Sequence, residues 1–107
     1  MKLISLKFKS VKSTNDIAHK LIKKKKIRPT IILSEKQTKG RGTMGKKWIS
    51  KKGNLFLTIF FDMSKKNLDF KEFAVLNACL LKSILVKKFS HKIKIKWPND
   101  LLFEGKK

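Results

Sequence analysis

Apolar and polar residues alternate from the start of the chain. Ile4, Leu6 and Phe8 fall on one side of an extended backbone and Ser5, Lys7 and Lys9 on the other, which predicts a half-buried strand over residues 2–11. The period then changes. Ser13-Thr14-Asn15-Asp16 offers a helix N-cap with an acid three positions on, and Ile17, Ala18, Leu21 and Ile22 form one helical stripe. Four lysines at 23–26 suit the negative end of that helix as a solvated terminus, and Arg28-Pro29 stops it. Residues 30–33 read as a short buried strand and residues 54–61 (NLFLTIFF) as an apolar, aromatic one. Asn67 and Asp69 can both cap a second helix, with Asp69 and Glu72 at capping-box spacing. Phe73, Leu76, Leu80 and Ile84, with Ala74, Leu81 and Leu85, give that helix a broad apolar face. Residues 92–97 alternate again, with Ile93, Ile95 and Trp97 inward, so Trp97 is read as core. Pro98-Asn99-Asp100 makes a turn, and residues 101–104 begin another strand. The order β-α-β-loop-β-α-β-turn-β describes one α+β domain over residues 1–107. Its last strand is expected to be unpaired, as in a domain truncated inside a hairpin.

Composition narrows the class. With 41% hydrophobic residues and eight Phe, the chain can build a core and is not a disordered basic tail. No run approaches the roughly 18 apolar residues of a membrane span, and Lys7, Lys9 and Lys12 interrupt any signal-like start. A single cysteine cannot form an internal disulfide, so a cytoplasmic location is expected, with Cys79 an inert thiol in the core of the second helix. His19 and His91 lack metal-spaced partners and read as surface residues. The net charge is +21, yet all but two of the 28 basic residues are lysine and they run through the whole chain. Phosphate recognition favours the planar arginine fork. The bias is therefore read as compositional, with a field that attracts anions nonspecifically and no specific nucleic-acid or membrane partner.

Four of the five glycines, 40, 42, 45 and 53, fall in one loop. Gly40 to Gly45 spells GxGxxG, but a strand follows where a dinucleotide site needs a helix N-terminus. Residues 40–46 also spell GxxxxGK, but Lys47 stands where a P-loop needs Ser or Thr. A plain flexible turn with solubilising lysines is the remaining local reading. The wider context adds Ser13-Thr14-Asn15 after the first strand, Gln37 before the loop, Trp48 closing it, and Lys96-Trp97-Pro98-Asn99-Asp100-Leu101 at a strand end.

Through STN at 13–15, EKQTKGRGTMGKKWISKKGNL at 35–55 and KWPNDL at 96–101, the sequence resembles the biotin–protein ligase family of the biotin/lipoate ligase superfamily. The stretches come in the family's order and cover essentially the whole chain. The resemblance implies a mixed β-sheet flanked by helices, akin to class II aminoacyl-tRNA synthetase cores. It implies an ATP- and Mg²⁺-dependent reaction in which biotin is activated as biotinyl-AMP and transferred to a lysine of the biotin carboxyl carrier protein of acetyl-CoA carboxylase. It assigns biotin binding to Ser13, Thr14, Asn15, Gln37, Gly40, Arg41 and Gly42. ATP or adenylate contacts fall to Thr43, Lys46, Trp48, Asn99, Asp100 and Lys107, with Asp100 toward Mg²⁺. Arg41 and Lys107 become the catalytic candidates, Lys107 by counting seven residues on from Asp100, with Lys106 as fallback.

The residue chemistry agrees with these assignments. A ureido ring in an apolar slot needs hydroxyl and amide partners. A carboxylate brought against a polyphosphate needs cations, and glycines allow close backbone approach. Ser13 also suits a simple cap, and Asp100 a turn former. The family loop reads GRGRxGRxW, and here Thr43 and Lys46 stand in place of its second and third arginines. No helix-turn-helix precedes the first strand, so a ligase without repressor function is expected. A noncatalytic basic remnant binding anions or nucleic acid, and a lipoate–protein ligase, are the alternative readings.

Overall fold

The structure is a computed structural model that describes residues 2–63 and 69–107. It forms two compact units, Met1–Ser64 and Lys65–Lys107. The expected Asn67 cap lies outside the described residues.

The first unit is a β-α-β unit with an added strand. Strand β1 (Ile4–Val11) leads into helix α1 (Thr14–Lys23), and strand β2 (Thr30–Gln37) returns parallel to β1. Strand β3 (Phe56–Phe60) pairs antiparallel with β2, so the sheet order is β1-β2-β3 and the sheet is mixed. Register places Leu6, Ile32 and Thr58 side by side. Because side chains alternate in a strand, Thr30 and Ser34 share that face with Ile32, and all three are buried. Helix α1 packs on β2 and β3. Ile32 has no exposed surface, and burying such a side chain contributes about 1.5–3 kcal/mol. The second strand runs to Gln37, past the expected end at residue 33. Exposed Glu35 and Lys36 hide the continuation, yet Ser10↔Lys36 and Val11↔Gln37 keep it in the ladder.

The second unit is helix α2 (Phe70–Lys88) with the antiparallel pair β4 (Ile93–Lys96) and β5 (Asp100–Phe103). The capping box forms as the spacing predicts: Glu72 N–H donates to Asp69 Oδ1 at 2.9 Å and Asp69 N–H to Glu72 Oε2 at 3.1 Å. Three expectations fail here. The last strand is not unpaired, because Ile93↔Phe103 through Lys96↔Asp100 join it to β4. Trp97 is not core: β4 ends at Lys96, the alternation stops, and Trp97 sits 75% exposed in the turn. Cys79 is exposed rather than buried, one step around the helix from buried Ala78. His19 and His91 are exposed, as expected.

Helix α1 ends in a Schellman motif. Lys26 N–H reaches Leu21 O at 3.0 Å and Lys25 N–H reaches Ile22 O at 2.9 Å. That motif needs a left-handed residue, and Lys25 fills it at φ 55° although glycine adopts this conformation without a Cβ clash. Lys25→Gly is expected to stabilise the fold by about 0.5–1 kcal/mol, read as a raised denaturation midpoint at unchanged m-value.

Candidate functional site

The site lies at the carboxyl ends of the two parallel strands, where Val11 stands beside Gln37. Immediately beyond β1 the chain turns into α1, so Ser13 and Thr14 begin the helix against the end of β2. Both are buried. Gln37 ties the two elements. Its Oε1 accepts from the Thr14 backbone N–H at 2.8 Å and from Thr14 Oγ1 at 3.1 Å. Its Nε2 donates to Ser50 Oγ at 3.1 Å, and Ser50 Oγ donates to Trp48 O at 3.2 Å. From the edge strand, the Thr58 hydroxyl shares its proton between Thr14 Oγ1 at 2.8 Å and Asn15 Oδ1 at 2.6 Å. The hydrogen bonds therefore run in one direction, from Thr58 through Thr14 to Gln37 Oε1, then from Gln37 Nε2 through Ser50 to the Trp48 carbonyl. This polarity fixes which end of the Gln37 amide faces the helix. It also satisfies a helix N-terminal N–H that would otherwise lack a partner.

The glycine loop is a small hairpin rather than an open cradle. Trp48 N–H donates to Gly40 O at 2.8 Å and Gly42 N–H to Lys46 O at 2.7 Å, with Arg41 paired to Lys47. Its tip is the 3-10 turn Thr43–Gly45, where Met44 (φ 60°) and Gly45 (φ 73°) are left-handed. Gly40 is buried under this hairpin. A Cβ there would stand 2.6 Å from Trp48 O and 3.1 Å from Gln37 Nε2, so a larger residue pushes the amide tie apart. Gly42 faces the Trp48 ring, 3.6 Å from where its Cβ would be. Thr43, Lys46 and half-exposed Trp48 lie at the open side of the loop.

Arg41 turns back from the loop onto α1. Its Nη2 donates to Asp16 Oδ1 at 2.7 Å and its Nη1 to Asp16 Oδ2 at 3.2 Å. The expected box at this helix start does not form: Ser13 occupies the N-cap position without a side-chain cap bond, and Asp16, the expected partner, is held by the stronger charge-assisted fork. The Arg41 hydrogen bond holds the Asp16 carboxyl below its ordinary value of 3.8; desolvation opposes it, and the charges of Arg41, His19 and Lys20 add to the lowering. Ser13, Thr14, Asn15, Gln37, Gly40, Arg41 and Gly42 thus gather in the first unit, as their joint appearance in the sequence predicts. Sequence pattern alone does not single out Ser50, Thr58 or Asp16 as site residues. Thr58, polar within the apolar run NLFLTIFF, was the available signal for one of them.

In the second unit, Asn99 is exposed in the turn and Asp100 opens β5. Lys107 Nζ lies 3.0 Å from Asp100 Oδ2. Among the described residues no group of three or more His, Cys, Asp or Glu side chains could hold a metal ion. Asp100 offers a single carboxylate, paired with Lys107, which suits a hard cation only together with other oxygen ligands.

A model of the biotin/lipoate A/B protein ligase family matches residues 7–107, and the chain belongs to that family. It is 30% identical over 96 residues to the bifunctional ligase/repressor BirA of Bacillus subtilis, covering 89% of this chain and 30% of that protein. The biotin acetyl coenzyme A carboxylase synthetase of Helicobacter pylori, solved with bound biotinylated ATP, superposes with a TM-score of 0.79 at 26% identity. That match covers 95% of this chain and 50% of the other. The Aquifex aeolicus biotin protein ligase, solved with biotin and ATP, gives 0.76 at 29% identity over 95% of this chain and 41% of that one. The chain therefore spans half or less of the length of these relatives. No described helix is long and apolar enough to cross a membrane.

Gln37→Leu removes the donor to Ser50 and the shared acceptor of Thr14, leaving the Thr14 backbone N–H without its partner. A loss of about 1–3 kcal/mol in denaturant unfolding is expected. For Asp16, the lowered carboxyl pKa means the unfolded chain takes up the proton first as pH falls. The stabilising contribution is complete above the ordinary value and disappears as pH drops through the lowered one. The difference in thermal midpoint between the native chain and Asp16→Asn should hold steady at pH values well above 3.8, begin to narrow as pH approaches 3.8, and close as pH falls through the lowered value.

Proposed function

We propose that this chain carries the biotin-activating part of an ATP-dependent biotin–protein ligase. The observation that carries this reading is the joining of the Ser13-Thr14-Asn15 segment to Gln37 and to the glycine loop in one hydrogen-bonded cluster. In this reading Ser13, Thr14 and Asn15 offer the hydroxyl and amide groups that a ureido ring requires once it leaves water. Gln37, engaged at both ends, holds them in place. The Trp48 ring gives a flat wall, and Gly40 and Gly42 let backbone approach the ligand closely.

The biotin carboxylate attacks the α-phosphorus of ATP. A C–O–P bond forms, the bond to the bridging oxygen breaks, and pyrophosphate leaves. Arg41 supplies charge-assisted donors to the anionic oxygens that crowd together at this step. Lys46 adds a cation without the planar fork. Asn99, Asp100 and Lys107 are the nucleotide-side candidates. Magnesium enters in this reading with the nucleotide phosphates, which bind it with water and few protein ligands. The acyl-adenylate then meets the amine of a lysine on a biotin carboxyl carrier domain, an amide forms and AMP leaves. Biotin is preferred to lipoate because the GRG at 40–42 and the KWPND run together follow the biotin pattern.

The deciding experiment is calorimetric titration with biotin and with lipoate, followed by pyrophosphate release in the presence of ATP and Mg²⁺. Biotin binding with biotin-dependent release supports the reading, and a preference for lipoate or the absence of biotin binding overturns it. Within that assay Arg41→Ala should lower pyrophosphate release by about a hundredfold, as loss of a transition-state donor does. Lys46→Ala should have a much smaller effect, because Lys47 stands beside it. Equal rates for the two variants would contradict the ranking.

A further inference from the structure

Arg41 is the one arginine in the glycine loop, and the loop by itself gives its side chain little support. Met44 at the tip is 95% exposed, and a Cβ on Gly45 would meet nothing within 4 Å. Pairing with Lys47 fixes the Arg41 backbone. What fixes the guanidinium is Asp16, through two parallel N–H···O bonds of 2.7 and 3.2 Å. Asp16 is well placed to serve as an anchor. It stands in the first turn of α1, where the helix dipole favours negative charge. The same turn is tied to β2 by the two bonds between Thr14 and Gln37. Rigidity therefore passes from the sheet through Gln37 and Thr14 to the start of α1, and through Asp16 to Arg41.

We propose that Asp16 is a positioning residue that docks Arg41 in the orientation in which it meets the anionic oxygens joining biotin to the nucleotide. The proposal deepens the ligase reading above and rests on it for the identity of the ligand. A guanidinium has an end-on edge made by its two Nη atoms and a side-on edge that includes Nε. Asp16 takes the end-on edge and leaves the side-on donors for ligand. An acidic residue that competed with the ligand would have to occupy the edge the ligand needs. The two roles predict opposite effects: removing an anchor weakens ligand binding, whereas removing a competitor strengthens it.

The test uses the full chain and biotinyl-AMP as the probe. Asp16→Asn should weaken biotinyl-AMP binding by about tenfold or more, the scale of loss when a reactive group is misplaced. Asp16→Glu should recover most of it. A second readout needs no ligand. The chain has only Arg28 and Arg41, so its guanidinium NMR signals are assigned by the single variant Arg28→Lys. In the native chain the Arg41 Nη–H signals should be sharp and slow to exchange, and in Asp16→Asn they should collapse to a freely rotating average. If the native chain binds neither biotin nor biotinyl-AMP, the ligase reading falls, and the NMR comparison still decides whether Asp16 holds Arg41. Unchanged Arg41 signals in Asp16→Asn, or tighter biotinyl-AMP binding by that variant, would overturn the proposal.

Discussion

The first unit depends on one amide. Gln37 stands at the last position of β2 and receives the first helical N–H of α1, so the end of a strand and the start of a helix are defined by the same group. A primary amide suits this position because it accepts at one end and donates at the other. The accepting end satisfies the helix, and the donating end reaches Ser50 across the base of the loop. A carboxylate could not donate to Ser50, and an ammonium could not accept from Thr14. Hydrophobic burial here is modest: among the described residues of the first unit the buried apolar set is Ala18 and Ile32. With so little core, geometry at the strand ends must come from directional bonds.

The two segments brought to this amide are far apart in the chain, and this shaped what could be read in advance. The elements came out in the right order because their periods differ clearly and because Asp69 and Glu72 act locally. Motif order along the chain also points to the ligase family without any knowledge of contacts. Tertiary partners were less legible. Asp16 has the spacing of a capping acid, and local rules alone place it back on Ser13. A guanidinium that arrives from 25 residues later displaces that local choice. Trp97 continues the alternation of Ile93 and Ile95, yet the strand stops one residue before it because the chain must turn into β5. Polar Glu35 and Lys36 conceal the end of β2, since ladder hydrogen bonds belong to the backbone and leave no mark in hydropathy.

The loop also explains how so lysine-rich a chain can concentrate a specific positive charge. Lysine ammonium groups are strongly hydrated and flexible, and their field over this surface is diffuse. Arg41 differs in being planar, forked and held at its backbone and at its side chain. Partial neutralisation by Asp16 lowers the local net charge but gives the remaining donors a defined direction. For a ligand whose negative charge sits on a few oxygens, direction discriminates better than total charge.

The sheet order β1-β2-β3 leaves two open edges among the described residues, and they are protected very differently. Along β1, Lys7 and Lys9 place charge on the edge, a common device against unwanted pairing. Strand β3 reads Phe-Leu-Thr-Ile-Phe, carries no charge, and exposes Leu57 and Ile59. The net charge of +21 on each molecule opposes the approach of two such edges. That repulsion acts over about 8 Å at physiological ionic strength and about 3 Å at 1 M. Lysine charge thus opposes self-association of this chain through its uncharged strand, and added salt weakens that opposition.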